Sequence, residues 1–172
     1  MRALEYGMHC VRKHAAGVIA WISEVFEKVG TVVYKLEGKI EEKKGKGEDT
    51  KEEEAIIEEL IKISEDLAVI RYNLKLIYEE YCPYKVRQTK IGKKEAVRLC
   101  LKLIGSLRDM RVYLDDIIPK LLELGVEDAV IDEIREAVGN CEAAIYHLID
   151  TIESITLKEE VSSEGVEKKE SS

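Results

Sequence analysis

Glutamine occurs once in this chain (Gln88), asparagine twice (Asn73, Asn140), phenylalanine and tryptophan once each (Phe26, Trp21) and proline twice (Pro83, Pro119). With so few large aromatics, Ile, Val and Leu must carry the core. Long apolar runs are missing as well. Near the first helix the longest stretch without formal charge is His14 to Ser23, half of what a membrane span requires, so no membrane role is expected. Glu5, Arg12 and Lys13 interrupt the beginning, where a signal peptide would need an unbroken apolar core, so a cytoplasmic, intracellular location is expected. The shortage of side-chain amides beside 36% Lys, Arg, Asp and Glu resembles the balance in proteins of hyperthermophiles.

Catalytic patterns are also missing. There is no phosphate loop, no G-x-S-x-G, no paired C-x-x-C and no serine suggestively placed near a His and an Asp. A carboxylate-bridged diiron bundle needs Glu-x-x-His on two helices, and the chain contains no such motif. The sequence therefore offers no catalytic residues, and neither an enzymatic activity nor a cofactor is expected.

What the chain does have is an apolar seam at 4-3-4-3 spacing in four stretches. The first reads Leu4, Met8, Val11, Ala15, Val18, Ile22, Val25, Val29, Val32, Leu36, and the second Ile56, Leu60, Ile63, Leu67, Ile70, Leu74, Ile77, Tyr81. The third reads Ala96, Cys100, Leu103, Leu107, Met110, Leu114, Ile117, Leu121, Leu124, and the fourth Ile134, Val138, Cys141, Ile145, Leu148, Ile152, Ile155. A repeat averaging 3.5 residues keeps one stripe of each helix facing a partner, as near-parallel knobs-into-holes packing demands.

These seams predict helices over about 3–44, 50–82, 91–124 and 127–158 in one domain, 1–158, followed by a disordered tail, 159–172, with little to bury. Gly45 and Gly47 among clustered charges break the first helix from the second. Thr50 and Glu53 have the spacing of a capping box. Pro83 stops the second helix, Gly125 suits a left-handed cap after the third, and Pro119 predicts a kink within it. Short connections between long helices predict an all-α, antiparallel up-down-up-down four-helix bundle with coiled-coil-like packing. At 1.5 Å per residue the first helix would be roughly 60 Å long against about 45 to 50 Å for the others, leaving its start to overhang or to dock on another chain.

Counting from the first turn levels Cys10 with Cys82, and His14 with Glu80. Cys10 and His14, one turn apart, could bind a metal together with Glu79 and Cys82. The alternatives are a Cys10 to Cys82 disulfide, of the kind hyperthermophiles tolerate inside cells, or free thiols acting as small apolar side chains. Cys100 and Cys141 sit in the seams at different heights and read as core. His147 with Asp150, one turn on, reads as a solvated pair.

The net charge of −8 conceals polarity. Lys85, Arg87, Lys90, Lys93, Lys94 and Arg98 gather where the third helix begins, whereas Glu52, Glu53, Glu54, Glu127, Asp128, Asp132 and Glu133 gather at the other end. The basic group is a candidate for anions or nucleic-acid phosphates, although an acidic chain is not the usual balance for that work. If the two ends meet, self-assembly would be head-to-tail. Further apolar residues outside the seams (Ile19, Phe26, Val33, Ile57, Ile61, Val97, Leu101, Ile104, Ile118, Leu122) suggest association. The leading expectation is thus a non-catalytic bundle acting through protein-protein association, as a homo-oligomer. A nucleic-acid-associated accessory protein and a metal-binding bundle are the alternatives.

Overall fold

Ala15, Val18, Ile22, Val25, Val29, Val32 and Leu36 share one stripe of the first helix, and every one of them is buried. The computed structural model describes the backbone of residues 2–78 and 92–170 and the side chains of 13–78 and 92–156. Its helices are α1 (Arg2–Gly45), α2 (Lys51–Leu76), α3 (Lys93–Glu123) and α4 (Asp128–Glu170). No strand occurs among the described residues, and none of their helices is long and apolar enough to cross a membrane. α1 packs on α2 and α4, α3 packs on α4 and more loosely on α2, and the pairs α1/α3 and α2/α4 lie across a diagonal. This is a four-helix bundle, with one core formed by seam residues from all four helices.

The second and third seams are buried as the spacing predicts, from Ile56 to Ile77 and from Ala96 to Leu121. The fourth is buried as expected at Ile134, Cys141, Leu148 and Ile155 but shifted at the positions between them. Val138, Ile145 and Ile152 only flank the core, while Ala137, Ala144 and Thr151, each one position earlier, are buried at its centre. The larger side chains therefore flank a stripe of small ones. Facing helices with small side chains can bring their backbones close, and α1 and α4 make the most extensive approach in the bundle. Their contacts run in opposite order along the two helices: Gly17 lies against His147, Lys28 pairs with Glu136 and with Glu133 (3.6 Å), and Lys39 reaches Leu124, just before α4.

Two turns close by the same device. Gly125 has φ +69°, its N–H donates to the Leu122 carbonyl (3.1 Å), and the Val126 N–H donates to that of Leu121 (3.1 Å). This is a Schellman cap, completed by burial of Val126 and Leu121. Gly47, at φ +72°, repeats it after α1, with Gly47 and Glu48 donating to Lys44 and Lys43. α3 runs on through Pro119, and α1 through Gly30.

The start of α2 corrects the expected capping box. Thr50 is the N-cap residue but its hydroxyl makes no capping bond, and Asp49 Oδ1 instead accepts from the Lys51 N–H (3.1 Å). Glu53 does not reach back to the cap. It is 1% exposed and hydrogen-bonds the Lys43 ammonium from α1. A buried carboxylate needs a partner more than a neutral backbone N–H needs a cap.

The backbone of α4 is helical from Asp128 to Glu170. α4, at 43 residues, therefore matches α1, at 44. The helices expected over 50–82 and 91–124 have their junction in 79–91, outside the described residues.

Leu107→Ala should lower stability by about 2 to 5 kcal/mol, the range for truncating a fully buried leucine. Ala144→Leu should cost about 1 to 3 kcal/mol by overpacking a fully buried core position. Denaturant unfolding checks both, and a neutral Ala144→Leu would place the centre of the fourth seam elsewhere.

Burial pushes the Glu53 carboxyl upward, but the Lys43 hydrogen bond, its own backbone and nearby positive charge outweigh this and leave it below the ordinary value. A carboxylate depressed on folding contributes stability above its unfolded value of 4.5 and loses it as pH falls through the folded value. Glu53→Gln should therefore flatten the acid limb of melting temperature against pH.

Candidate functional site

The tight α1–α4 packing holds His14, from α1, against His147 and Asp150 of α4. One nitrogen of each imidazole and one Asp150 oxygen all lie within 4.8 Å of one another. His14 Nδ1 is 3.9 Å from Asp150 Oδ2, beyond hydrogen-bonding distance, and the two rings tilt at 42° with centroids 5.8 Å apart. His147 and Asp150 are neighbours on one face because three residues make nearly one helical turn. The His147 ring can lie on α1 because Gly17 has no side chain there: a Cβ would stand 3.2 Å from its Cε1 and 3.3 Å from its Nδ1. His147 Nδ1 is shielded from solvent without a hydrogen-bond partner among the described residues, while the Thr151 hydroxyl donates to the His147 carbonyl (2.7 Å). All three residues are half-buried, so the cluster is open on its outer side.

Of the metal candidates named from sequence, only His14 has a described side chain. Cys10 lies in α1 with its side chain outside the described set, and Glu79 and Cys82 lie outside the described residues altogether. His14 is instead brought to His147 and Asp150. Spacing already showed the pair on α4, but only the pairing of the first helix with the last supplies the third donor.

The basic candidates divide in the same way. Lys85, Arg87 and Lys90 lie outside the described residues, whereas Lys93, Lys94 and Arg98 stand on the first turns of α3, with Lys94 and Arg98 exposed and Lys93 half-buried. Acids at the opposite end are already engaged, since Lys43 holds Glu53 and Lys44 holds Glu54 at 3.0 Å.

A second concave feature lies between α2 and α3, the loosest adjacent pair. This cleft of about 430 Å³ is lined by apolar Ile63, Val69, Ile70, Leu103 and Met110, with Tyr113. Glu59, Asp66 and Asp109 line it beside Lys62 and Lys102, so both signs of charge are present. Burial, helped by Glu59, pushes the Tyr113 phenol up to about 12. It is therefore a neutral hydrogen-bond donor at physiological pH.

The apolar residues outside the seams are sorted by the fold. Ile57 is buried, and Ile19, Val33, Ile104 and Ile118 pack against the core, while Phe26, Ile61, Leu101 and Leu122 remain exposed on three different helices. Single exposed apolar side chains are ordinary, whereas the α2–α3 cleft combines a buried apolar floor with charged walls.

Cys100 and Cys141 are buried free thiols, as their seam positions predict. Burial pushes both up to about 12, with Glu142 adding to the effect on Cys141. They stay protonated far above neutral pH and are poor nucleophiles. In a Cys10→Ser, Cys82→Ser background, iodoacetamide at pH 8 should leave the folded protein unlabelled over a period that fully labels it in guanidinium. Mass spectrometry checks this, and rapid labelling of the native chain would contradict the burial.

The chain matches no protein-family model, no curated protein and no solved structure, so its functional reading rests on these side chains.

Proposed function

We propose that this chain is a non-catalytic helical bundle that works by association with a second copy of itself through its α2–α3 face. The observation that carries this reading is the cleft between those helices. The other adjacent helix pairs pack more extensively, whereas here Ile63, Ile70, Leu103 and Met110 line a space of about 430 Å³ and Val69 stands 58% exposed beside them. Covering such a groove removes apolar area from water.

The charges bear on which partner fits. A two-fold contact sets one patch against itself, so a patch of one sign would repel its own copy. Lys62 already pairs with Glu59 in the same chain (3.3 Å), so the complementarity open to a second copy is Lys102 with Asp66 or Asp109. Head-to-tail assembly has weaker support, because Lys43 and Lys44 already hold two of the acids it would use.

Light scattering coupled to size exclusion should give twice the 19.6 kDa chain mass. Val69→Glu should return the protein to one chain mass with its helical content and melting temperature little changed, because the residue is largely exposed. A wild-type mass of one chain at high concentration contradicts the proposal. Reversing Lys90, Lys93 and Lys94 to Glu tests the nucleic-acid alternative: loss of salt-sensitive DNA or RNA binding at unchanged mass would move the functional surface to the basic end.

A further inference from the structure

We propose that His14, His147 and Asp150 form a binding site for one borderline transition-metal dication of the zinc class, shared between α1 and α4. The donor set is two imidazole nitrogens and one carboxylate oxygen. Such a set suits Zn²⁺, Co²⁺ or Ni²⁺ and is poor for Ca²⁺ or Mg²⁺, which prefer oxygen alone. Three protein donors leave a further coordination position for water or an added ligand. The site is independent of the α2–α3 cleft, which is built on the other two helices.

Donors around a shared zinc stand about 2.0 to 2.2 Å from it, so a tetrahedral arrangement needs them roughly 3.4 Å from each other. Here they lie within 4.8 Å. The Asp150 side chain, 47% exposed, is free to adjust. The two imidazoles are held more firmly, because their helices pack closely and Gly17 admits the His147 ring.

A second observation also points to a ligand. His147 Nδ1 is shielded from solvent, yet it has no hydrogen-bond partner among the described residues. The nearest hydroxyl does not satisfy it, because Thr151 donates to the main-chain carbonyl of the same histidine. A shielded ring nitrogen without a partner is destabilising, and coordination through Nδ1 would supply the partner that it lacks. A simple ion pair of protonated His14 with Asp150 would leave His147 unexplained.

The test uses the full chain with Cys10→Ser and Cys82→Ser, so that these two thiols do not compete, stripped with chelator and titrated with Zn²⁺ by calorimetry. One Zn²⁺ should bind per chain. His14→Ala and His147→Ala should each weaken it at least tenfold, and Asp150→Asn should weaken it less, with helical content retained throughout. In case a histidine variant unfolds, nitrogen NMR of the unaltered imidazoles supplies an independent reading, in which Zn²⁺ should shift one nitrogen of His14 and one of His147. Failure of Zn²⁺ to saturate a site, binding undiminished by the histidine changes, or unmoved imidazole nitrogens would each overturn the proposal. Chain mass measured in the same samples should not depend on Zn²⁺, so failure of the metal site and failure of the dimer are separately visible.

Discussion

The close approach of α1 and α4 is the constraint on which the rest of the bundle depends. Small side chains favour it, and the buried positions include Ala137, Cys141 and Ala144 on α4 and Ala15, Val18, Val25, Val29 and Val32 on α1. Each lacks the reach of leucine, so the helices can draw together without voids. That closeness then sets the register of everything along the pair. Lys28 meets Glu133 and Glu136, Lys39 reaches the end of α3, and His14 comes level with the turn containing His147 and Asp150.

Electrostatics finish the end of the bundle that holds both tight turns. The last turn of a helix exposes carbonyls with partial negative charge and the first exposes N–H groups with partial positive charge. Lys39 donates to the Leu124 carbonyl (2.7 Å) at the end of α3, while Glu52, Glu53 and Glu54 occupy the first turn of α2. Lys43 and Lys44 join those acids to α1. In Lys28, the hydrogen bond to Glu136 raises the ammonium above its ordinary value despite some desolvation, reinforcing the same α1–α4 pair farther along. Acids that look in the sequence like an unshielded pole are therefore partly neutralised by lysines of the same chain.

The bundle itself was legible because its large aliphatic residues repeat without losing phase, and periodicity is the strongest local signal of a helix. The same preference for large residues misplaced the fourth seam by one position at Val138, Ile145 and Ile152. Alanine and threonine score poorly as core residues, although at a close helix crossing they are what fits. Thr50 and Glu53 show a different limit: their spacing suits a capping box, but the spacing cannot reveal that Lys43 from another helix competes for the carboxylate. The His14 cluster was half legible, as a histidine and an aspartate three apart on α4. Its third member required levelling the first helix against the last. Chaining three turn counts carries the error of every uneven connection and places His14 about two turns beyond Asp150. Contacts between the first and last elements are where turn counting is weakest.

The two sides of the bundle have opposite packing and so suit opposite tasks. Along α1 and α4, close packing brings His14 of one helix beside His147 and Asp150 of the other. Along α2 and α3 the helices pack more loosely, and the cleft between them has Ile63, Ile70, Leu103 and Met110 buried at its floor and Val69 exposed at its rim. Gly17→Ala would separate these roles further. The added methyl would press on the His147 ring and disturb the cluster, yet it would improve helix propensity in α1 and leave the α2–α3 cleft untouched. A chain that gains stability while losing the His14–His147–Asp150 arrangement would show that Gly17 is present for the imidazole and not for the helix.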